Sequence, residues 1–124
     1  MVAKQELLYV TFPLNAANID THMFVVPAGM AFEVQSITHC MAATAASATC
    51  GVKKCAGVTA PASGTLLTTA ALAMDSTANT NISTVVTAAR TVRYLGAGDK
   101  LGLDFSGTLT GMAGLITVVL KRIK

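Results

Sequence analysis

Gly114-Leu-Ile-Thr-Val-Val-Leu-Lys-Arg-Ile-Lys124 is the stretch that decides the fold class of this chain. On an extended backbone Ile116, Val118 and Leu120 fall on one face, while Leu115, Thr117 and Val119 fall on the other, ahead of Lys121. β-Branched residues dominate the run, and they pack on a pleated surface better than they sit in a helix. Apolar groups on both faces suit a central strand covered on both sides, or a strand at a subunit interface. The basic tail resembles a stop-transfer flank, but the largely apolar run over 111–120 is ten residues where a spanning helix needs about 20. A buried strand is the better reading, and no membrane partner is expected.

Outward from there, the same alternation recurs. Leu8, Val10 and Phe12 alternate with Leu7, Tyr9 and Thr11, a strand that Pro13 is expected to end. Residues 22–26 form a short β-branched and aromatic run closed by the turn Pro27-Ala-Gly29. Phe32, Val34 and Ser36 alternate with Glu33, Gln35 and Ile37 towards Cys40. Residues 81–95 are rich in Thr and Val, and Leu101, Leu103 and Phe105 oppose Gly102 and Asp104. Residues 41–48 and 66–74 are Ala-rich without caps or sustained periodicity, and read as loops with at most one short helix. Val26-Pro-Ala-Gly-Met-Ala-Phe-Glu-Val34 is echoed by Leu95-Gly-Ala-Gly-Asp-Lys-Leu-Gly-Leu103. Each copy predicts a tight turn, with Gly supplying a positive φ, followed by an alternating strand. Short strands separated by Gly, Pro, Asn and Ser predict an all-β chain, one β-sandwich or barrel domain over residues 1–124.

Composition bounds what such a sandwich does. Hydrophobic residues make up 52% of the 124 positions and charged ones only 12%, about half the usual ~25%. So few charges leave a solitary molecule with apolar surface to cover, which predicts contacts with other polypeptides. The net charge is +3, spread over Lys4, Lys53, Lys54, Arg90, Arg93, Lys100 and the cluster Lys121, Arg122 and Lys124. With no Trp and no aromatic beside that cluster, nucleic-acid binding is disfavoured and solvated strand ends are the simpler reading. The N-terminus, with Lys4, Glu6 and the breaks at Pro13 and Asn15, does not read as a signal peptide. Cys40, Cys50 and Cys55 are therefore expected as reduced thiols.

Chemistry needs convergent groups, and few are offered. Asp20-x-His22 lacks a nucleophile pattern and reads as a turn and a strand start. His39, Cys40, Cys50 and Cys55 invite a zinc reading. Adjacent strand residues point to opposite faces, however, and the Cys50/Cys55 spacing is too wide for the usual ligand pair. Gly96-Ala-Gly98 lacks the third Gly of a dinucleotide fingerprint and precedes a strand instead of a helix. Asn81-Ile-Ser83 matches the glycosylation triplet, which carries little weight without secretion. No enzyme activity, cofactor or metal is expected.

Taken as a set, the residues carry a family likeness. Val25-Val-Pro-Ala-Gly29 through Phe32-Glu-Val34, Thr59-Ala-Pro-Ala-Ser-Gly-Thr-Leu-Leu-Thr-Thr69, Thr77-Ala-Asn-Thr80, the run from Leu95 to Thr110 and the closing Gly114–Lys121 strand resemble the head decoration (cement) proteins of tailed bacteriophages. The likeness runs roughly from Thr11 onward and leaves the segment from Cys40 to Cys55 unmatched. It implies a jelly-roll or related β fold, a homotrimer, and binding to the major capsid protein on the outside of the virion, after synthesis in the host cytoplasm. It carries over no catalytic residue. The candidate contact residues are Lys4 and Gln5, in an extended arm over residues 1–6, and Leu115, Thr117, Val119 and Lys121. The rival reading is a trimeric tail-fibre or receptor-binding tip that recognises a host surface, though 5% aromatics offer little for stacking on sugars. A nucleic-acid-binding coat protein comes third.

Overall fold

A computed structural model describes residues 6–124 as two antiparallel sheets packed face to face, an all-β sandwich. In sheet I, β10 (Ala113–Arg122) lies between β1 (Leu7–Asn15) and β3 (Phe32–Ala43). The far side of β3 is shared by β7 (Asn81–Thr84) and the two-residue β8 (Tyr94–Leu95). In sheet II, β9 (Lys100–Ser106) lies between β2 (Thr21–Val25) and β4 (Thr49–Cys55). The far side of β4 carries β5 (Thr65–Leu66) and β6 (Leu72–Ala73). No helix among the described residues is long and apolar enough to cross a membrane.

The alternation read in the closing stretch is the alternation of β10. Ile116, Val118 and Leu120 are fully buried between the sheets, while Leu115 on the opposite face is 43% exposed. Ile37 and Val34 from β3, Leu101 and Leu103 from β9, and Cys50 and Val52 from β4 complete the same core. Phe24 meets Phe32 edge-on, ring centroids 5.7 Å apart, which closes the core at one end.

The echoed turns turn out to be neighbours. Gly29 has φ +80° and Gly98 φ +86°, with nothing within 4 Å of where a Cβ would stand, so backbone conformation is what demands glycine there. Each turn carries the chain across the sandwich, from β2 to β3 and from β8 to β9. The strand entering one corner pairs with the strand leaving the other, β2 with β9 and β8 with β3. The corners are stitched by the Val26 N–H donating to the Asp99 carbonyl at 2.9 Å and the Gly98 N–H donating to the Val26 carbonyl at 3.0 Å. A shared sequence pattern thus builds two halves of one crossed connection.

Three expectations need correction, and one strand lies where none is expected. Pro13 does not end β1, which runs on to Asn15. The Arg122 N–H donates to the Glu6 carbonyl, and ladder alternation from that pair turns the nitrogen of Pro13 to the free edge, where no donor is needed. Residues 81–95 are not continuous strand: after β7 the chain makes one helical turn, Arg90–Arg93, before β8. Residues 41–48 and 66–74 are not loop throughout: β3 extends to Ala43, β5 ends on Leu66 and β6 uses Leu72 and Ala73. The remaining helical piece is a single 3-10 turn at Pro61–Ser63. β4 was not anticipated, because Gly51, Lys53 and Lys54 leave Cys50 and Val52 as its only inward apolar pair before Cys55.

Candidate functional site: the outer face of sheet I

The two outer faces of the sandwich differ. Over sheet II the chain folds back on itself, with the 3-10 turn lying on β9 and β4. A Cβ at Gly102 would stand 2.7 Å from Cys55 Sγ and 3.3 Å from the Pro61 backbone, so glycine is what lets the turn approach. Lys53 Nζ bridges the cover, donating to the Ala62 carbonyl at 3.1 Å and pairing with Asp104 at 2.8 Å.

No described residue covers the outer face of sheet I in this way. Register places its side chains in rows across the strands. Pro13, Leu115, Cys40 and Asn81 form the first row, and Thr11, Thr117, Thr38 and Ser83 the second. Tyr9, Val119 and Ser36 form the third. Leu7, Lys121, Glu33 and Tyr94 form the fourth. Three rows carry no charge at all, and the fourth carries one of each sign. Large apolar groups stand in water here: Tyr9 is 64% exposed, Leu7 50% and Tyr94 44%. A groove of about 300 Å³ closes the charged end, lined by Glu33, Arg90, Thr91, Tyr94 and Ile123. β1, the outermost strand, has no charged residue from Leu7 to Asn15, whereas exposed edges are usually guarded by charge.

Leu115, Thr117, Val119 and Lys121 thus share the outward side of β10, as the sequence predicts. Lys4 and Gln5 lie outside the described residues. What sequence reasoning missed is the company these four keep. Tyr9, Thr11, Thr38, Cys40 and Tyr94 join them through pairings between distant segments, for which a single strand's periodicity carries no signal.

The groups with chemical potential are dispersed. His39 points inward from β3 and Cys40 outward, as alternation requires. Cys50 is in the core, and Cys55 lies under the cover of sheet II. Three layers therefore separate the three thiols, all of them free. Among the described residues no group of three or more His, Cys, Asp or Glu side chains is placed to hold a metal ion. Asp20 does not engage His22; its carboxylate accepts the Phe105 N–H at 2.8 Å, tying the β1–β2 connection to the end of β9.

Burial pushes the Cys50 thiol up to about 12, with the Asp104 and Asp20 carboxylates adding to the effect, and raises Cys55 against the opposing pull of Lys100 and Lys53. Since the thiolate is the reactive form, an alkylating reagent should modify one thiol per native chain, Cys40, and reach the other two only on unfolding. Mass spectrometry of briefly labelled protein checks this; rapid modification of Cys50 in the native state would contradict the placement.

His39 is 1% exposed. Its Nε2 lies 3.0 Å from the Ala73 carbonyl and 3.1 Å from Ser76 Oγ, which assigns the proton of the neutral ring to Nε2, while Nδ1 has no partner. Desolvation holds its pKa below the ordinary value, outweighing the bond to Ala73. The unfolded chain therefore binds a proton near pH 6.5 that the folded chain still refuses. Stability should be complete above that pH and fall as pH drops below it, by up to about 1.4 kcal/mol per unit, until the folded pKa is reached. His39→Gln keeps a donor for Ala73 and removes the titration. Urea melts of the two proteins between neutral and mildly acid pH should diverge, and parallel slopes would refute the assignment.

Compared with protein-family models, curated proteins and solved structures, the chain matches none.

Proposed function

We propose that this protein is a structural virion component, a decoration protein that binds the outside of a tailed-phage head as an oligomer and braces it against packaged DNA. The observation that carries the reading is the exposed, nearly charge-free outer face of sheet I. It has the chemistry of a protein contact, with flat rows of Thr, Ser, Val and Leu, two exposed tyrosines, Tyr9 and Tyr94, towards one end, and almost no charge to desolvate. The likeness of the turn and strand sequences to cement proteins supports the same role. So does the strand order, β1-β10-β3-β7 facing β2-β9-β4-β5, which is that of two interleaved Greek keys and favours the jelly-roll form common in viral capsid domains.

Mechanically, packaged DNA drives shell subunits apart, and a clamp across their joints opposes separation by the area it buries. A standard interface of ~1,600 Å² supplies strong binding without any single special residue, and a lattice of many copies needs only modest affinity at each. The partners in this reading are the major capsid protein and further copies of the chain, with no chemical step.

Purified protein mixed with expanded, undecorated heads should appear by electron microscopy as regular protrusions at fixed lattice positions. Decorated heads should also survive heating or chelator treatment that bursts bare ones. Heads that remain bare at saturating protein would remove the proposal.

A further inference from the structure

The geometry points to a second copy of this chain as the occupant of the outer face of sheet I, packed face to face about a two-fold axis running along the strands between β10 and β3. This deepens the decoration reading by assigning its homotypic contact, as a two-fold dimer where the family likeness implies a homotrimer, and rests on that reading only in giving the protein such a contact.

A two-fold along the strands preserves strand direction and exchanges the two sides of the sheet, so β10 lies over β3 of the second copy and β1 over its β7 and β8. Aligned sheets pack in this way, about 10 Å apart and with strands within roughly 30°. Each row then meets its own reverse. Leu7, Lys121, Glu33 and Tyr94 face Tyr94, Glu33, Lys121 and Leu7 of the second copy. Every charge meets its opposite, twice over, by symmetry. Leu7, half exposed, falls over Tyr94 and the groove beside it. The second row sets hydroxyl against hydroxyl, Thr117 over Thr38 and Thr11 over Ser83. In the first row Leu115 lies over Cys40.

Two observations favour a copy over a different protein. Lys121 and Glu33 are direct register neighbours, yet the ion pairs among the described residues are Lys53 with Asp104, Lys54 with Asp99 and Arg122 with Glu6. Neither has an ionic partner among the described residues, Glu33 accepting only a hydrogen bond from the Gln35 side-chain amide at 2.9 Å, and the row that holds them is its own complement. Moreover, a chain of net charge +3 repels its copies except through a face whose charges cancel, and this face supplies that. Four strands wide and four rows long, the face measures roughly 19 Å by 27 Å. Two copies then bury about 1,000 Å², the level at which specific interfaces begin. A reversible dimer at micromolar concentration is the consequence.

Sedimentation equilibrium should give twice the 12.7 kDa chain mass. Lys121→Glu places acids opposite acids on both sides of the axis, and Glu33→Lys places bases opposite bases. Each variant alone should dissociate at least about tenfold more readily. An equimolar mixture of the two should restore association as a one-to-one heterodimer, and the double variant K121E/E33K should restore the homodimer. Rescue by mixing separates lost contact from lost fold, because a misfolded chain would not be repaired by a partner. Cys40 alkylation should slow as concentration rises through the dimerisation range. A trimeric or monomeric wild type, or variants whose association mixing leaves unchanged, would overturn the assignment. These measurements use no heads, so their failure leaves the head-binding result intact, and bare heads leave the dimer intact.

Discussion

Gly114→Ala is expected to lower folding stability by about 3 kcal/mol, towards the top of the range for overpacking a closed site. Gly114 sits where β10 shifts register against β3. A Cβ there would stand 2.5 Å from the Cys40 carbonyl oxygen and 3.0 Å from the Met41 Cα. Both are backbone atoms of the central strand, so relief requires β3 to move away from β10 over several residues. Alanine also restricts the unfolded chain, which favours folding by about 0.4–1 kcal/mol, too little to offset the contact. Guanidinium melts of the two proteins test this. A loss under about 1 kcal/mol would mean that the two strands part more easily than their register implies. Gly111→Ala, on a loop whose φ of +76° carries strain without any contact within 4 Å, should cost less, about 1 kcal/mol.

Ile37→Ala is expected to cost about 4 kcal/mol, in the upper part of the range for deleting a buried aliphatic side chain. Ile37 is fully buried and paired in register with Val118 on one side and Thr84 on the other. Three hydrogen-bonded strands hold the walls of the resulting cavity, so it cannot collapse. Thr38, the next residue along, faces outward, and Thr38→Ala should cost under about 1 kcal/mol. The contrast between adjacent residues measures the sidedness of sheet I directly. Equal losses would mean that both faces are buried in the protein as studied, which the dimer's dissociation on dilution would separate from a misplaced strand. Against a typical total of 5–15 kcal/mol, the Ile37 loss alone would leave a marginal fold.

The parts of this architecture legible in the sequence are those that depend on one segment at a time. β10 and β9 declare themselves through period-two alternation, and the two corners through Gly29 and Gly98. β4 was hidden because covering sheet II from outside requires Gly51 and Cys55 where a solvated face would show polar alternation, and because Lys53 and Lys54 interrupt the apolar run. Pro13 misleads because its position in the sheet is not local information: a proline that stops an inner strand is harmless on an outer one. The candidate surface shows the same division. Leu115, Thr117, Val119 and Lys121 follow from β10 alone, whereas the opposition of Lys121 to Glu33 depends on pairing segments nearly ninety residues apart, and local pattern holds no record of it.

The position of β10 between β1 and β3 sets a schedule for the chain's birth. N-terminal segments emerge first from a ribosome, so β1 and β3 lack the strand that joins them until residue 122 is out. Until then sheet I has no centre, and two apolar strand flanks are open to neighbouring nascent chains. Maturation should therefore be late and all at once, limited by closure of long loops instead of local turns. Ribosome-bound chains halted before residue 113 should remain protease-sensitive throughout, however long they are held.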